Sequence, residues 1–183
     1  MFMYPVDDEL ALVLPRPAID APRLFALIDA DRAGLGRFLP WVSALDSVAA
    51  EQAFLTLTLA HFGQGQSVDL VMVTGGVPVG MISFNRFTEE DRGTDIGYWL
   101  GAAYRGRGLV HRAVGAMCTL AFTEYGRSRV VIQAAADNAA SNAVAKRAGF
   151  HLDGCRRAGI QLADGAHDLN DWSLLRAEWQ ARH

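Results

Sequence analysis

Two glycines stand two residues apart in the stretch YRGRGLVHRAV, Tyr104 to Val114, directly before an apolar pattern with helical spacing. Glycine costs a helix interior roughly 1 kcal/mol against alanine, so Arg105-Gly106-Arg107-Gly108 is expected to form a turn before the helix. Free backbone N–H groups and the helix dipole at such a point form a site for an anion. The alternative is a pair of loop glycines that only supply positive φ angles. The segment alone favours neither interpretation.

Two phosphate-binding motifs are excluded for this segment. A dinucleotide fingerprint, G-x-G-x-x-G, needs a third glycine at the position of His111 and a first strand near the start of the chain. A phosphate loop needs Gly-Lys-Ser/Thr at its last glycine, and Leu109 and Val110 follow instead. An anion at this turn would therefore be held in a different arrangement.

The elements around the turn predict one mixed α/β domain that spans residues 1–183. Strands are predicted at Leu10–Leu14, Val68–Val73, Val77–Phe84, Asp95–Gly101 and RVVIQAA, and as a final pair around the turn ADGAH. Helices are predicted at Ile19–Ile28, from Ser47 to about Phe62, from the glycine segment to about Tyr125, and at Asn138–Ala148. Ser47 is a plausible N-cap with Glu51 in the first turn, and Gly149 a C-cap. The glycine segment thus joins the fourth strand to a helix.

Composition excludes several classes of protein. The net charge is −3 and Lys146 is the only lysine, so a general nucleic-acid role has little electrostatic support. No apolar run approaches the roughly 20 residues of a membrane span, and the N-terminus lacks the features of a signal peptide. Cys118 and Cys155 are far apart, which favours a reduced protein over a disulfide framework. A cytoplasmic enzyme or binding domain is expected.

The segments around the turn follow a spacing that resembles the GNAT N-acetyltransferases. The strand DIGYWLG precedes YRGRGL, and DNAASNAVAKRAGFHLDGC follows. With GMISFNR, these segments look like the RimJ/RimL type, which acetylates ribosomal proteins at the N-terminus. The resemblance covers nearly the whole chain and is specific from Val79 to Cys155. It implies a single-domain GNAT fold, with a mixed, mostly antiparallel sheet that splays between its fourth and fifth strands and is flanked by helices.

The resemblance also implies acetyl-coenzyme A as the acetyl donor, with direct transfer and no metal. Backbone N–H groups near the glycines would hold the pyrophosphate, nearby arginines would supply charge, and two asparagines match family positions that face the pantetheine arm. Asn138 can equally act as a helix cap. Val110 is a departure, because the broad family prefers Gly or Ala there. The predicted cofactor-binding residues are Trp99, Leu100, Arg105, Gly106, Arg107, Gly108, Leu109, Val110, Asn138 and Asn142.

Acetyl transfer to an amine needs a neutral amine, a stabilised oxyanion and a proton for the departing thiolate. Ser141 matches the family's serine near the cofactor sulfur, so its hydroxyl is predicted to protonate the thiolate; the alternative is a serine with a local hydrogen bond in the first helical turn. Asp95 resembles the glutamate that many GNAT enzymes use as a base. Close relatives sometimes carry a glutamate near position 160, but Ile160 stands here.

The acceptor is predicted to lie near Phe38, Trp41, Asn85 and the Gln161–His167 region; core packing is the alternative for Phe38 and Trp41. Near pH 7.4 roughly a quarter of α-amines are neutral, against about one lysine in a thousand, a difference of about 3 kcal/mol. A site without a strong base therefore favours a protein N-terminus. A small-molecule amine, or an acyl-coenzyme A-binding module without turnover, remains an alternative, and a homodimer is plausible.

Overall fold

The computed structural model describes residues 3–182, which form one eight-stranded mixed sheet with helices on both faces. The strands are β1 Met3–Pro5, β2 Leu10–Val13, β3 Val68–Thr74, β4 Val77–Thr88, β5 Gly93–Leu100, β6 Arg129–Ala135, β7 His151–Leu162 and β8 Gly165–Leu175. The α-helices are α1 Pro17–Asp29, α2 Arg32–Gly36, α3 Val48–Gly63, α4 Leu109–Thr123, α5 Ala139–Arg147 and α6 Arg176–Gln180. Short 3₁₀ helices occupy Pro40–Ser43 and Ala102–Tyr104.

The sheet opens between two of its central strands. Its order is β1-β2-β3-β4-β5-β6-β8-β7, and every pair is antiparallel except β5 with β6. Those two strands pair only from Gly93 with Arg129 to Asp95 with Val131, after which they separate. Because α4 connects β5 to β6, this opening, here called the seam, has the start of α4 at one end. The predicted splay between the fourth and fifth predicted strands is confirmed.

Successive residues of the central strands point to opposite faces of the sheet, and each face has its own core. Leu70 and Ile82 pack with Met117 of α4, whereas their neighbours Val71 and Met81 pack with helices α1 and α3. This is the alternation expected for strands that are buried on both faces. The two cores hold β5 and β6 in place on either side of the seam.

The predicted strands and helices are present, and the short elements β1 and α6 were missed. Strand β1 has three residues and helix α6 has five, too few for a periodic pattern. Ser47 caps α3 by accepting from the Ala50 N–H, at 3.2 Å. Cys118 and Cys155 are both free, as their separation suggested. Within residues 3–182, no helix combines the length and the apolar character that crossing a membrane requires.

Candidate active site

A cavity of about 870 Å³ fills the seam and extends to the start of α4. Its walls come from α2, β5, α4, β6 and α5, so residues that are distant in sequence meet there. Twelve of the predicted site residues line it: Phe38, Asn85, Asp95, Trp99, Leu100, Arg105, Gly106, Gly108, Leu109, Val110, Asn138 and Ser141. The predicted residues Trp41, Arg107 and Asn142 are not among the residues that line it.

The start of α4 presents backbone donors that no protein group within residues 3–182 uses. Gly108 is the N-cap with φ of 73°, and Gly106 has φ of 79°, so the turn does need glycines. The first backbone hydrogen bond runs from the Arg112 N–H to the Gly108 oxygen, at 3.1 Å. In the described part of the chain, the N–H groups of Leu109–His111 have no acceptor. A helix start with free donors beside a cavity is suited to an anion.

The arginines of the glycine segment are already paired with acids. Arg105 binds the carboxylate of Asp31, and its guanidinium also donates to the Leu100 oxygen at 3.3 Å. Arg107 pairs with Glu9, which also accepts from Arg112 at 2.7 Å. These ion pairs fix the turn to the N-terminal part of the fold, and they neutralise charge that was expected to face the phosphates.

Two other basic side chains line the cavity without a partner. Arg147, at the end of α5, is exposed and has no ion pair or hydrogen bond within residues 3–182. The Nδ1 atom of His111 is buried with no hydrogen-bond partner in that same range. Sequence reasoning missed both residues as site components. The one available signal for Arg147 was its place in the A-x-[KR]-x-G-F pattern.

Ser141 lies in the first turn of α5 and faces Tyr98 of β5 across the seam. Their hydroxyl oxygens are 2.7 Å apart. The Ser141 N–H donates to Oδ1 of Asn138 at 3.2 Å, so Asn138 does cap the helix while it lines the cavity. Burial raises the pKa of Tyr98 to about 12. The sequence predicted a role for Ser141 and did not single out Tyr98.

The side chain of Asn142 makes all its hydrogen bonds within the protein, and it does not line the cavity. Its amide donates to the oxygens of Ala135 and Asn138, at 2.9 and 2.8 Å. Its own oxygen accepts from Asn170 and from the indole N–H of Trp172, at 2.8 and 2.9 Å. An amide has two donors and one oxygen with two lone pairs, so this group has no bond left for a ligand.

Asp95 lies where the seam begins to open. One of its oxygens accepts from Nδ2 of Asn85 at 2.7 Å, and the other from Nε of Arg86 at 3.1 Å. Asn85 reaches it by crossing over Gly97, where a Cβ would lie 2.8 Å from the Asn85 oxygen. The carboxylate therefore lines the cavity but is held by two donors.

The cavity is also bordered by the loop after α2 and by the β7–β8 hairpin. Phe38 lines the cavity, whereas Trp41 packs against Trp99 with ring centroids 6.3 Å apart. Of the hairpin, Ile160 and Leu169 line the cavity and the Gln161–His167 region does not. Arg37 reaches Asp137 at 3.2 Å, which joins the loop after α2 to the loop between β6 and α5.

Comparison with known proteins identifies the family. The model of the acetyltransferase (GNAT) domain matches residues 9–151. The chain belongs to the GNAT acetyltransferase family. It is an acyltransferase of the GNAT type, and its co-substrate is acetyl-coenzyme A, as the resemblance implied.

Among GNAT relatives, YdaF of Bacillus subtilis (strain 168) carries a provisional name as a ribosomal N-acetyltransferase and is 30% identical over 98% of both chains. The ribosomal-protein-serine acetyltransferase of Escherichia coli (strain K12) is 29% identical over 83% of this chain and 85% of its own. A solved structure of RimL, a ribosomal L7/L12 alpha-N-protein acetyltransferase in complex with coenzyme A, has a TM-score of 0.91 and 26% identity, and the match covers 97% and 99% of the two chains.

Proposed function

We propose that this GNAT enzyme transfers the acetyl group of acetyl-coenzyme A to the N-terminal α-amine of a protein, with a ribosomal protein as the expected kind of acceptor. The proposal that acetyl-coenzyme A binds here rests on one observation, the row of unused N–H groups at Leu109–His111 on the wall of the seam cavity. The proposal that a protein N-terminus accepts the acetyl group is supported by the similarity to RimL over nearly the full length of both chains.

The donor's phosphates would be bound by the start of α4. The N–H groups of Leu109–His111 would donate to the pyrophosphate oxygens, with the helix dipole adding to the attraction. Arg147 would supply the charge that the paired Arg105 and Arg107 do not. Backbone groups of Trp99 and Leu100, on the open edge of β5, would bind the pantetheine arm.

The chemistry is a direct attack of the amine nitrogen on the thioester carbonyl carbon. As the C–N bond forms, the oxyanion needs a donor, which a backbone N–H of β5 would provide. The C–S bond then breaks, and the departing sulfur would receive a proton from the Ser141 hydroxyl. Water would return a proton to the Ser141 oxygen as the amine gives up its own. Asp95 would attract the incoming ammonium and accept its proton, directly or through water.

The absence of a strong base supports an α-amine as the acceptor. Asp95 is engaged by Asn85 and Arg86, and Ile160 supplies no acid from β7. An α-amine has a pKa of about 8 and loses its proton readily near neutral pH, whereas a lysine side chain at about 10.4 needs a base.

Paired peptides would test this acceptor class. One peptide of each pair has a free N-terminus and no lysine, and the other has a blocked N-terminus and one lysine. We expect release of free thiol, and a mass increase of one acetyl group, on the order of 100-fold faster with the free N-terminus near pH 7.4. Faster turnover of the blocked lysine peptide would contradict an α-amine acceptor, and no thiol release with any amine would indicate a binding module.

A further inference from the structure

Two hydroxyl groups meet across the seam, one from each half of the divided sheet. Oη of Tyr98, on β5, lies 2.7 Å from Oγ of Ser141, on α5, and both residues line the cavity. We infer that Tyr98 is a positioning residue for acetyl transfer: its O–H donates to the Ser141 oxygen and thereby directs the Ser141 proton towards the departing sulfur. This role rests on the proposed function of Ser141.

The direction of the hydrogen bond follows from the chemistry of the two groups. A phenol is a far stronger acid than an aliphatic alcohol, so the tyrosine is the better donor of the pair. A serine hydroxyl has one proton and two lone pairs. When its oxygen accepts from Tyr98, its own proton stays available to the cavity.

The usual competitor for a serine proton in a helix is occupied. Serine in a helical turn commonly donates to the carbonyl oxygen three or four residues earlier. For Ser141 the nearer of these is Asn138, whose oxygen already accepts from the N–H of Asn142 at 3.1 Å and from its side chain at 2.8 Å. Both lone pairs of that oxygen are therefore engaged, and it does not compete for the Ser141 proton.

Tyr98 is held in place and kept protonated by its surroundings. Its ring packs against the core that contains Ile96 and Leu100, its neighbours on the same face of β5. Because burial raises the pKa of its hydroxyl to about 12, Tyr98 retains its proton throughout the neutral range. It can orient Ser141, but it does not give its own proton away, since a buried phenolate would remain.

A double-mutant cycle tests the positioning role. Wild type, Tyr98→Phe, Ser141→Ala and the double variant are compared for kcat with an α-amine peptide and for Kd with coenzyme A. We expect Ser141→Ala to lower kcat by roughly 10²–10⁴-fold. Tyr98→Phe should lower kcat about fivefold to tenfold, which is the factor that one hydrogen bond contributes. The double variant should be no slower than Ser141→Ala, because there is then no serine to orient.

Tyr125→Phe is the matched control. Tyr125 stacks on Phe87 with ring centroids 5.2 Å apart, and its hydroxyl has no hydrogen bond in the described range. This variant should keep kcat within twofold, and Kd should stay within twofold in every variant.

Four results would contradict the positioning role. Tyr98→Phe could leave kcat unchanged, or lower it by the same factor with and without Ser141, which would mean that Tyr98 acts independently. It could raise Kd in proportion to the loss of turnover, which would indicate a binding role. Ser141→Ala could keep its turnover, which would remove the serine role itself. If the proposed α-amine acceptor is wrong, the wild-type enzyme itself will turn over the α-amine peptide poorly. That result is distinct from a failure of the role of Tyr98, which appears only in the variants.

Discussion

Each arginine of the glycine segment is held by an acid that is far away in the sequence. Asp31 lies 74 residues before Arg105, and Glu9 lies 98 residues before Arg107. The glycine segment and its resemblance to the GNAT enzymes predicted an anion site at this turn, where the N–H groups of Leu109–His111 are unused within residues 3–182; this feature depends on local backbone. It could not show that the arginines were already neutralised, since that depends on how remote segments pack. Arg147 is the cavity arginine that packing leaves unpaired in residues 3–182.

Arg147→Gln should therefore weaken the binding of acetyl-coenzyme A. Loss of one charged hydrogen bond to phosphate should raise Kd about tenfold in dilute buffer, and less in high salt because the site is exposed. Calorimetry in dilute buffer and in high salt measures both values of Kd. Acetyl-pantetheine, which lacks the phosphates, should bind the variant and wild type equally.

Lys146→Gln is the matched control for that experiment. It removes the same charge one residue earlier on α5, and Lys146 is exposed but does not line the cavity. Equal losses of affinity in the two variants would mean that only the net charge matters, which would contradict a direct contact by Arg147.

At the scale of elements, the helices and strands with a strong hydrophobic period were predicted from the sequence. Their observed ends lie within a few residues of the predicted ones. Helix α1 begins at Pro17 rather than near Ile19, because proline is well tolerated in the first turn. Strand β4 continues to Thr88 and β5 begins at Gly93, so both strands extend beyond their predicted limits at Phe84 and Asp95. The start of α4 matters most for function, since it combines glycines at positive φ with unused N–H groups.

Gly108→Val should abolish tight binding of acetyl-coenzyme A. At φ of 73° a Cβ is strained, at a cost of about 1–2 kcal/mol, and it would project from the helix start where the pyrophosphate is expected. The affinity measured by calorimetry should fall at least 100-fold, beyond what the modest loss of stability explains.

Gly65→Val provides the comparison, because Gly65 has φ of 69° and equally open space around it but lies after α3, away from the cavity. Its melting temperature should drop by a similar amount while its affinity stays at the wild-type level. Wild-type affinity in Gly108→Val would contradict the proposed phosphate site.

At the scale of the whole molecule, one buried acid carries a cost in stability. Glu51 occupies the first turn of α3, as the sequence predicted. It lies on the same face as Leu55 and Thr58, however, and is only 2% exposed. One of its oxygens has no hydrogen-bond partner in the described chain. Burial raises the pKa of this carboxyl to about 7.

This pKa predicts that stability falls as pH rises from about 4.5 to about 7. In that window the unfolded chain ionises Glu51 while the folded protein still binds a proton, and above it the folded protein contains a buried carboxylate. Glu51→Gln should remove this dependence and raise the free energy of unfolding by about 3 kcal/mol at pH 8, with little change near pH 4.5.

Melting temperatures of wild type and Glu51→Gln at pH 5 and pH 8 would measure the effect. Glu90→Gln, at an exposed glutamate in the β4–β5 turn, should match wild type at both values. A gap between Glu51→Gln and wild type that narrows as pH rises would contradict the assignment.

The seam also gives the sheet two additional edges in its interior. Beyond Asp95 and Val131, β5 and β6 are each paired on one side only, so their inner sides resemble the outer strands of an ordinary sheet. Amide hydrogens on such edges exchange with deuterated solvent far faster than those of fully paired strands. Exchange along β5 and β6 should thus slow when coenzyme A is bound, while β3, paired on both sides by β2 and β4, remains protected throughout.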